Sequence, residues 1–417
     1  MTVPADWARP DGPMMTLALV RRNATDTAHR VGALLINPGG PGVSGTQVVL
    51  HPEFFPFSPE LRSRFDIVGF DPRGIASSPP LHCPAPADDQ ATVGDIPANQ
   101  QEFAALLAHN QKTAAACTDR LSAADVARDV EGIRTALGGE PLNWYGTSYG
   151  TEIGQQYAEL FPSHIRTMVL DATIDHTRSA LDHLYDATRS AEDAFDRFAK
   201  WCHDNTACAL HGQDVAVIFD KIRAKLTGDQ RDYLDYGTYL SLYKPAQGWP
   251  ALGEQLAKYL TTPPTATGRN STPTPPTNSA VDAATCQDWN YTVDNYTQLS
   301  KVLTTAGVLA PHLRIANVDR YRLVDCQGWP VIDPPHALRV HGAPPILVVN
   351  SMHDPITPYW GAANISRQLP GSVLLTYEGA GHGSYSQSDC VRTDVDRYLS
   401  DRAMPAPGTR CPDVMPG

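Results

Sequence analysis

The chain has no long hydrophobic run, no run of basic residues and no paired-cysteine metal motif, and each absence removes a class of function. No apolar stretch approaches the roughly 20 residues that cross a bilayer as a helix, so no membrane span is expected. Lysine and arginine number 33 against 45 aspartates and glutamates, a net charge of −12, which argues against a nucleic-acid or anionic-membrane surface. None of the eight cysteines stands in a Cys-x-x-Cys pair, no histidine cluster completes a zinc site, and no metal is expected. No G-K-[ST] follows a glycine-rich loop, so no phosphate cradle is read and no cofactor is implied. Residues 1–30 carry no signal-peptide pattern, so export is inferred from the cysteines and from the resemblance below.

What is present fits a large folded core. At 417 residues and 42% apolar composition, the chain is long enough for two or three domains or for one core with a large insertion. The cysteines Cys83, Cys117, Cys202, Cys208, Cys286, Cys326, Cys390 and Cys411 are even in number and spread along the chain. That usage suggests disulfides and an oxidising compartment, the alternative being buried thiols in a cytosolic protein.

Two β-rich apolar runs, 31–36 and 65–70, each end in a Gly/Pro turn, as buried parallel strands do. Residues 123–137 have helical spacing, with Val126, Val130, Ile133 and Leu137 on one face. A short strand at 142–145, a turn, a helix through 152–160 and a strand at 166–171 continue the alternation, which implies a mostly parallel sheet with helices on both faces. Residues 179–245 read as mainly helical, and the Pro/Thr-rich stretch 261–280 as an exposed flexible loop. Strand pattern returns at 345–350 and 372–377, followed by a helix around 391–400. The simplest organisation is a core of residues 1–178 and 336–417 with a helical lid, 179–335, inserted between its halves.

The strongest chemical signal is Gly146-Thr147-Ser148-Tyr149-Gly150, a G-x-S-x-G between a strand and a helix. A serine hydroxyl becomes a nucleophile when a sharp turn exposes it beside a base, and the flanking glycines are expected to allow that bend. An acid and a histidine should follow in that order. Asp354 lies just after the strand ending at Asn350, and His382 in a glycine-lined loop after the strand ending near Tyr377. His382 is expected to take the serine proton while Asp354 fixes its tautomer. Gly40, in the glycine-rich loop after 31–36, and Tyr149, directly after Ser148, are expected to supply oxyanion-hole amides. Asp71 reads as a structural turn residue, with Arg73 pairing to a nearby carboxylate. His353 reads as a pocket-wall or supporting residue rather than the base.

The ordered motifs NPGGPGVSG, FDIVGFDPRGIASS, WYGTSYGT, TMVLDATID, CQGWP, HDPITP and GAGHGSY together resemble the secreted actinobacterial tripeptidyl aminopeptidases, α/β-hydrolase serine exopeptidases related to proline iminopeptidases. The resemblance runs from residues 3–7 to the C-terminal cysteines. It implies an α/β-hydrolase fold, a peptide substrate with a free N-terminus, and acidic lid groups that hold the substrate ammonium. Asp288 matches the family's Cys-x-Asp pattern; Glu152 and Asp175 are further candidates, and Trp329 is a candidate pocket wall. Each has a plain alternative: Glu152 complements a helix dipole, Asp175 caps a helix, and Trp329 packs in the core. The resemblance and sequence proximity also suggest the pairs Cys83–Cys117, Cys202–Cys208, Cys286–Cys326 and Cys390–Cys411. The pattern departs from the family at Asn37, where iminopeptidases often carry His, at the long 261–280 stretch, and at the charged Glu152. A carboxylesterase with the same triad acting on a small acyl substrate is the competing reading, and a catalytically dead binding domain a third.

Overall fold

The computed structural model describes residues 1–53, 55–81, 96–117, 119–262, 279–315 and 317–417. Two short strands, β1 (Thr2–Pro4) and β2 (Met14–Thr16), pair as an antiparallel ribbon. The main sheet is built from β3 (Ala18–Arg22), β4 (Gly32–Asn37), β5 (Phe65–Asp71), β6 (Leu142–Thr147), β7 (Ile165–Asp171), β8 (Leu347–His353), β9 (Val373–Ala380) and β10 (Arg410–Cys411). Its eight strands run in the order β10-β9-β8-β7-β6-β4-β5-β3. Only the edge strand β3 is antiparallel to its neighbour.

The central strands are buried along nearly their whole length. Helices cover both faces, so both sets of alternating side chains are apolar, and this gives the continuous runs seen in the sequence. The chain reverses direction across the sheet at β4, which lies between β5 and β6. At such a point the loops leaving neighbouring strands diverge, and a crevice opens at the strands' C-terminal ends. The loops after β4 and β6 carry the glycine-rich segment and Ser148.

The N-terminal ribbon is fixed by a buried cation. Arg73 is fully buried and forms two 2.6 Å hydrogen bonds to Asp129, while it donates to the carbonyls of Pro4 at 2.9 Å and Ala5 at 2.7 Å. Asp129 also accepts from the Trp7 indole at 2.9 Å. The expected partner of Arg73 is therefore this helical aspartate.

Between β7 and β8 the described residues form seven helices: Ala180–Asp204, Val215–Lys225, Asp229–Ser241, Pro245–Tyr259, Ser279–Asp288, Tyr296–Leu309 and Asn317–Asp325. The first begins at Ser179, whose hydroxyl accepts from the amide of Asp182, and it buries a stripe including Ala187, Ala191, Phe195, Phe198 and Cys202. That stripe meets Phe219, Trp249, Leu252 and Leu256 in a core separate from those against the sheet. Cys202–Cys208 and Cys286–Cys326 cross-link this helical layer, and Cys390–Cys411 ties the helix Asp389–Asp401 to β10. Cys83 lies outside the described residues, and with it the suggested pair Cys83–Cys117; so does most of the 261–280 stretch. No helix among the described residues is long and apolar enough to cross a membrane.

Candidate active site

Ser148 stands between β6 and the helix Tyr149–Leu160 with φ 56° and ψ −122°, in backbone space that a side chain rarely occupies. Such a conformation costs of order 1–3 kcal/mol and persists only when its surroundings enforce it. The enforcement is steric. A Cβ on Gly146 would run into the carbonyl of Gly150, and one on Gly150 would come within 2.9 Å of Asn37 Oδ1. Neither glycine adopts positive φ. The motif's glycines therefore permit close approach of strand, turn and helix, and the bend itself is carried by the serine, contrary to the sequence expectation.

His382 and Asp354 are brought together. Nδ1 of His382 is 3.0 Å from both carboxylate oxygens of Asp354, leaving Nε2 as the free ring nitrogen. Asp354 is fully buried and also accepts from the amides of Ile356 at 2.9 Å and Thr357 at 3.0 Å and from the Thr357 hydroxyl at 2.9 Å. Ser190, on the helix Ala180–Asp204, donates to the Asp354 carbonyl at 2.6 Å. On the other side, the His382 amide donates to the Tyr243 carbonyl at 2.8 Å, and the two rings meet edge-on at 5.3 Å. The helices between β7 and β8 thus brace both Asp354 and His382. Asp171, at the end of β7, is fully buried and accepts from the amides of Ser384 and Tyr385 at 2.9 and 3.0 Å, which anchors the loop that carries His382. Sequence reading passed over Asp171 because a strand-end aspartate has no distinctive spacing.

The loop after β4 lies against the nucleophile turn. Gly39 has φ +90°, and a Cβ there would be 2.9 Å from Ser148 Cβ and 3.0 Å from the Tyr149 amide nitrogen. Asn37 Oδ1 accepts from the Gly39 amide at 2.9 Å, which fixes the start of the loop. Gly40 lines the cavity beside Ser148. Tyr149 is the first residue of its helix, so its amide has no intrahelical acceptor. Residues 40–45 do carry a G-x-G-x-x-G spacing. The helix that follows, Gly45–Leu50, has its N-terminus occupied by Asp71, which accepts from Ser44 Oγ at 2.7 Å and from the Thr46 amide at 3.1 Å. This is the structural role expected of Asp71, and it leaves the phosphate-cradle reading without an open helix end.

A cavity of about 530 Å³ contains Ser148 and His382 in its wall, together with Gly40, Phe55, Ile174, His183, Tyr243, Ile356 and residues of the lid helices. None of the four expected substrate-binding residues lines it. Asp288 is fully buried; its carboxylate accepts from the Ala123 amide at 3.0 Å and from the Tyr149 hydroxyl at 3.1 Å, an internal link between two helices and the lid. Glu152 is also fully buried, with Trp289 Nε1 and His176 Nε2 each 3.4 Å from a carboxylate oxygen. Burial pushes its carboxyl well above the usual range, which favours the neutral acid at a site where an uncharged residue is expected. Asp175 accepts from the amide and hydroxyl of Thr177 and from Asn364, and the helix cap is Ser179 instead. Trp329 packs in the core beside Cys326. His353 is no pocket wall either: it meets Asp193 at 2.6 Å and Arg197 at 3.3 Å on the first lid helix.

Two acids that the sequence reading missed do line the cavity: Asp282, on Ser279–Asp288, and Asp325, at the end of Asn317–Asp325. Among the described residues neither carboxylate has a hydrogen-bond or ion-pair partner. Burial, with Asp325 adding repulsion, pushes Asp282 up to about 8; burial pushes Asp325 up to about 7. A signal for them existed. Asp282 precedes Cys286 by four residues and so shares its helix face, and Asp325 precedes Cys326 directly, so the Cys286–Cys326 bridge draws the two acids to one place.

Residues 32–389 match the family model for the α/β hydrolase fold. The chain belongs to the α/β-hydrolase family. With a serine at the nucleophile turn, it is a serine hydrolase. Its relatives include serine protease Hip1 of Mycobacterium tuberculosis, 31% identical over 99% of this chain and 86% of the relative. Tripeptidyl aminopeptidase of Streptomyces coelicolor is 30% identical over 96% of this hydrolase and 80% of its own length. Carboxylesterase B of M. tuberculosis is 32% identical over 99% and 85%.

Proposed function

We propose that this hydrolase is a secreted exopeptidase that releases short peptides, tripeptides among them, from free N-termini through an acyl-enzyme. Ser148 attacks the scissile carbonyl, His382 takes its proton and returns it to the leaving amine, and Asp354 holds His382 in the tautomer with Nδ1 protonated. The amides of Gly40 and Tyr149 receive the developing oxyanion. The observation that carries the peptide reading is the Asp282 and Asp325 pair, two unpartnered carboxylates in the wall of the same cavity as Ser148. Two half-buried acids side by side without a bound cation repel each other, and a substrate ammonium relieves that repulsion. The pair takes the role first expected of Asp288, Glu152 and Asp175. The helices Ser279–Asp288 and Asn317–Asp325 wall the ammonium end, which restricts entry to chain termini. The three disulfides among the described residues support an exported enzyme.

The carboxylesterase reading is favoured by the apolar part of the wall, Phe55, Ile174, Val281 and Ile356. The deciding experiment compares a free-amine tripeptide chromogenic amide, its N-acetylated twin and a short acyl ester, on wild type and Ser148→Ala. Cleavage of the free tripeptide over its acetylated twin, lost in the variant, is expected. Turnover of the ester alone moves the enzyme to the esterase reading; turnover of all three by Ser148→Ala removes Ser148 from the mechanism.

A further inference from the structure

The cavity wall has a second charged pole. Besides His183 and His382 it includes two basic side chains, Lys244 and Arg322, and Arg322 is committed to Asp319 at 3.3 Å. His183 is held neutral, burial pushing it down to about 3. Lys244 has no hydrogen-bond or ion-pair partner among the described residues. It stands at the N-terminus of Pro245–Tyr259 without using its side chain as a cap. Its place is fixed by both neighbours. Tyr243 bonds the His382 amide and packs on the His382 ring, and Pro245 touches the loop at Gly381, where a Cβ would come within 2.7 Å of it. Lys244 therefore flanks the histidine, on lid elements other than the two that carry Asp282 and Asp325.

We propose that Lys244 is a specificity residue for the leaving group, favouring substrates with a carboxylate just beyond the scissile bond. The inference rests on the reading of His382 as the acid that protonates the leaving group. The departing amine must lie at His382, so the residue that bears it passes Lys244. An ammonium on the lysine attracts either an acidic side chain on that residue or the terminal carboxylate of a substrate only one residue longer than the released peptide. The interaction is partly exposed, since Lys244 is itself exposed. It should therefore be worth about three- to fivefold in kcat/KM and weaken with added salt.

The test measures kcat/KM ratios. One free-amine tripeptide is followed by a neutral residue amide, by an aspartyl amide, or by a neutral residue with a free carboxylate, and each is compared on wild type, Lys244→Gln and Lys244→Glu. Two acyl esters, with neutral and carboxylate-bearing alcohols, are run alongside. If the exopeptidase reading fails, only the esters turn over, and their ratio still reports on Lys244. Expected is a carboxylate-to-neutral ratio of about three to five in wild type, near one in Lys244→Gln and below one in Lys244→Glu. The aspartyl and free-carboxylate arms separate the two sources. A wild-type ratio at or below one in every pair, or a ratio unchanged in both variants, overturns the proposal.

Discussion

Replacing Asp282 by asparagine should make the protein more stable and less able to use a free N-terminus. The carboxyl is raised from an ordinary 3.8 to about 8, chiefly by burial and then by Asp325. At about 1.4 kcal/mol per tenfold change, holding it ionised costs roughly 6 kcal/mol if none of the field is screened. Water in the cavity lowers this, and about 3 kcal/mol is the working figure. The sign follows from the folded value lying above the unfolded one. The folded protein binds the proton more tightly, so the stability contribution is whole below about pH 4 and is lost as pH rises to about 8. Asparagine keeps the neutral shape and removes the titration. Relative to wild type, Asp282→Asn should gain about 2 kcal/mol between pH 5 and pH 8, roughly 2 °C in Tm for a chain of this length.

The same substitution removes one charge-assisted contact to the ammonium, worth about 1.5–3 kcal/mol, or roughly 10- to 100-fold in kcat/KM for a free tripeptide. Scanning calorimetry at the two pH values and a matched free-amine and acyl-ester assay read both effects. The ester lacks an ammonium and so reports on Ser148, His382 and Asp354 without the acid pair. The amide-to-ester ratio therefore isolates the acid pair, and in wild type it should fall as pH drops from 8 through 7. Stability that rises while the amide-to-ester ratio falls is the signature of charge kept for binding. A variant with no pH-dependent stability gain refutes the burial argument. One with an unchanged amide-to-ester ratio refutes the ammonium site.

Asp354→Asn should leave the fold intact and lower kcat by about 10⁴-fold, because an amide cannot hold His382 in the tautomer that accepts the serine proton; ester turnover and circular dichroism read the two parts. Gly39→Ala forces a side chain at φ +90° against Ser148 and the Tyr149 amide, and should cost at least tenfold in kcat with a smaller change in KM. Asp129→Ala leaves Arg73 buried without its carboxylate, and should destabilise the fold by about 3–5 kcal/mol in denaturant unfolding while sparing the chemistry of any molecules that remain folded.

The sheet and the order of serine, aspartate and histidine were readable because they depend on local pattern. The apolar runs 31–36 and 65–70, each ending in a Gly/Pro turn, read as strands covered on both faces, and Ser148, Asp354 and His382 each follow a strand closely. β3 and β10 were not readable, since ALVRR lies on an edge with no alternation of burial to detect, and β10 is two residues pinned by β9 and the Cys390–Cys411 bridge. The candidate binding acids show the same limit more sharply. Asp288, Glu152 and Asp175 were chosen by closeness in sequence to Cys286, Ser148 and a strand end. Sequence closeness does not say which face of a helix a residue occupies. Asp288 lies two positions from Cys286 and turns away from the cavity to meet Ala123, whereas Asp282, four positions away, shares the cysteine's face. The bridge to Cys326 then brings in Asp325 from a separate helix. The proposed catalytic residues thus lie in loops that leave a predictable sheet. The proposed ammonium site lies in the pairing of two helices, and a disulfide read together with helical period is a signal in the sequence that carries that pairing.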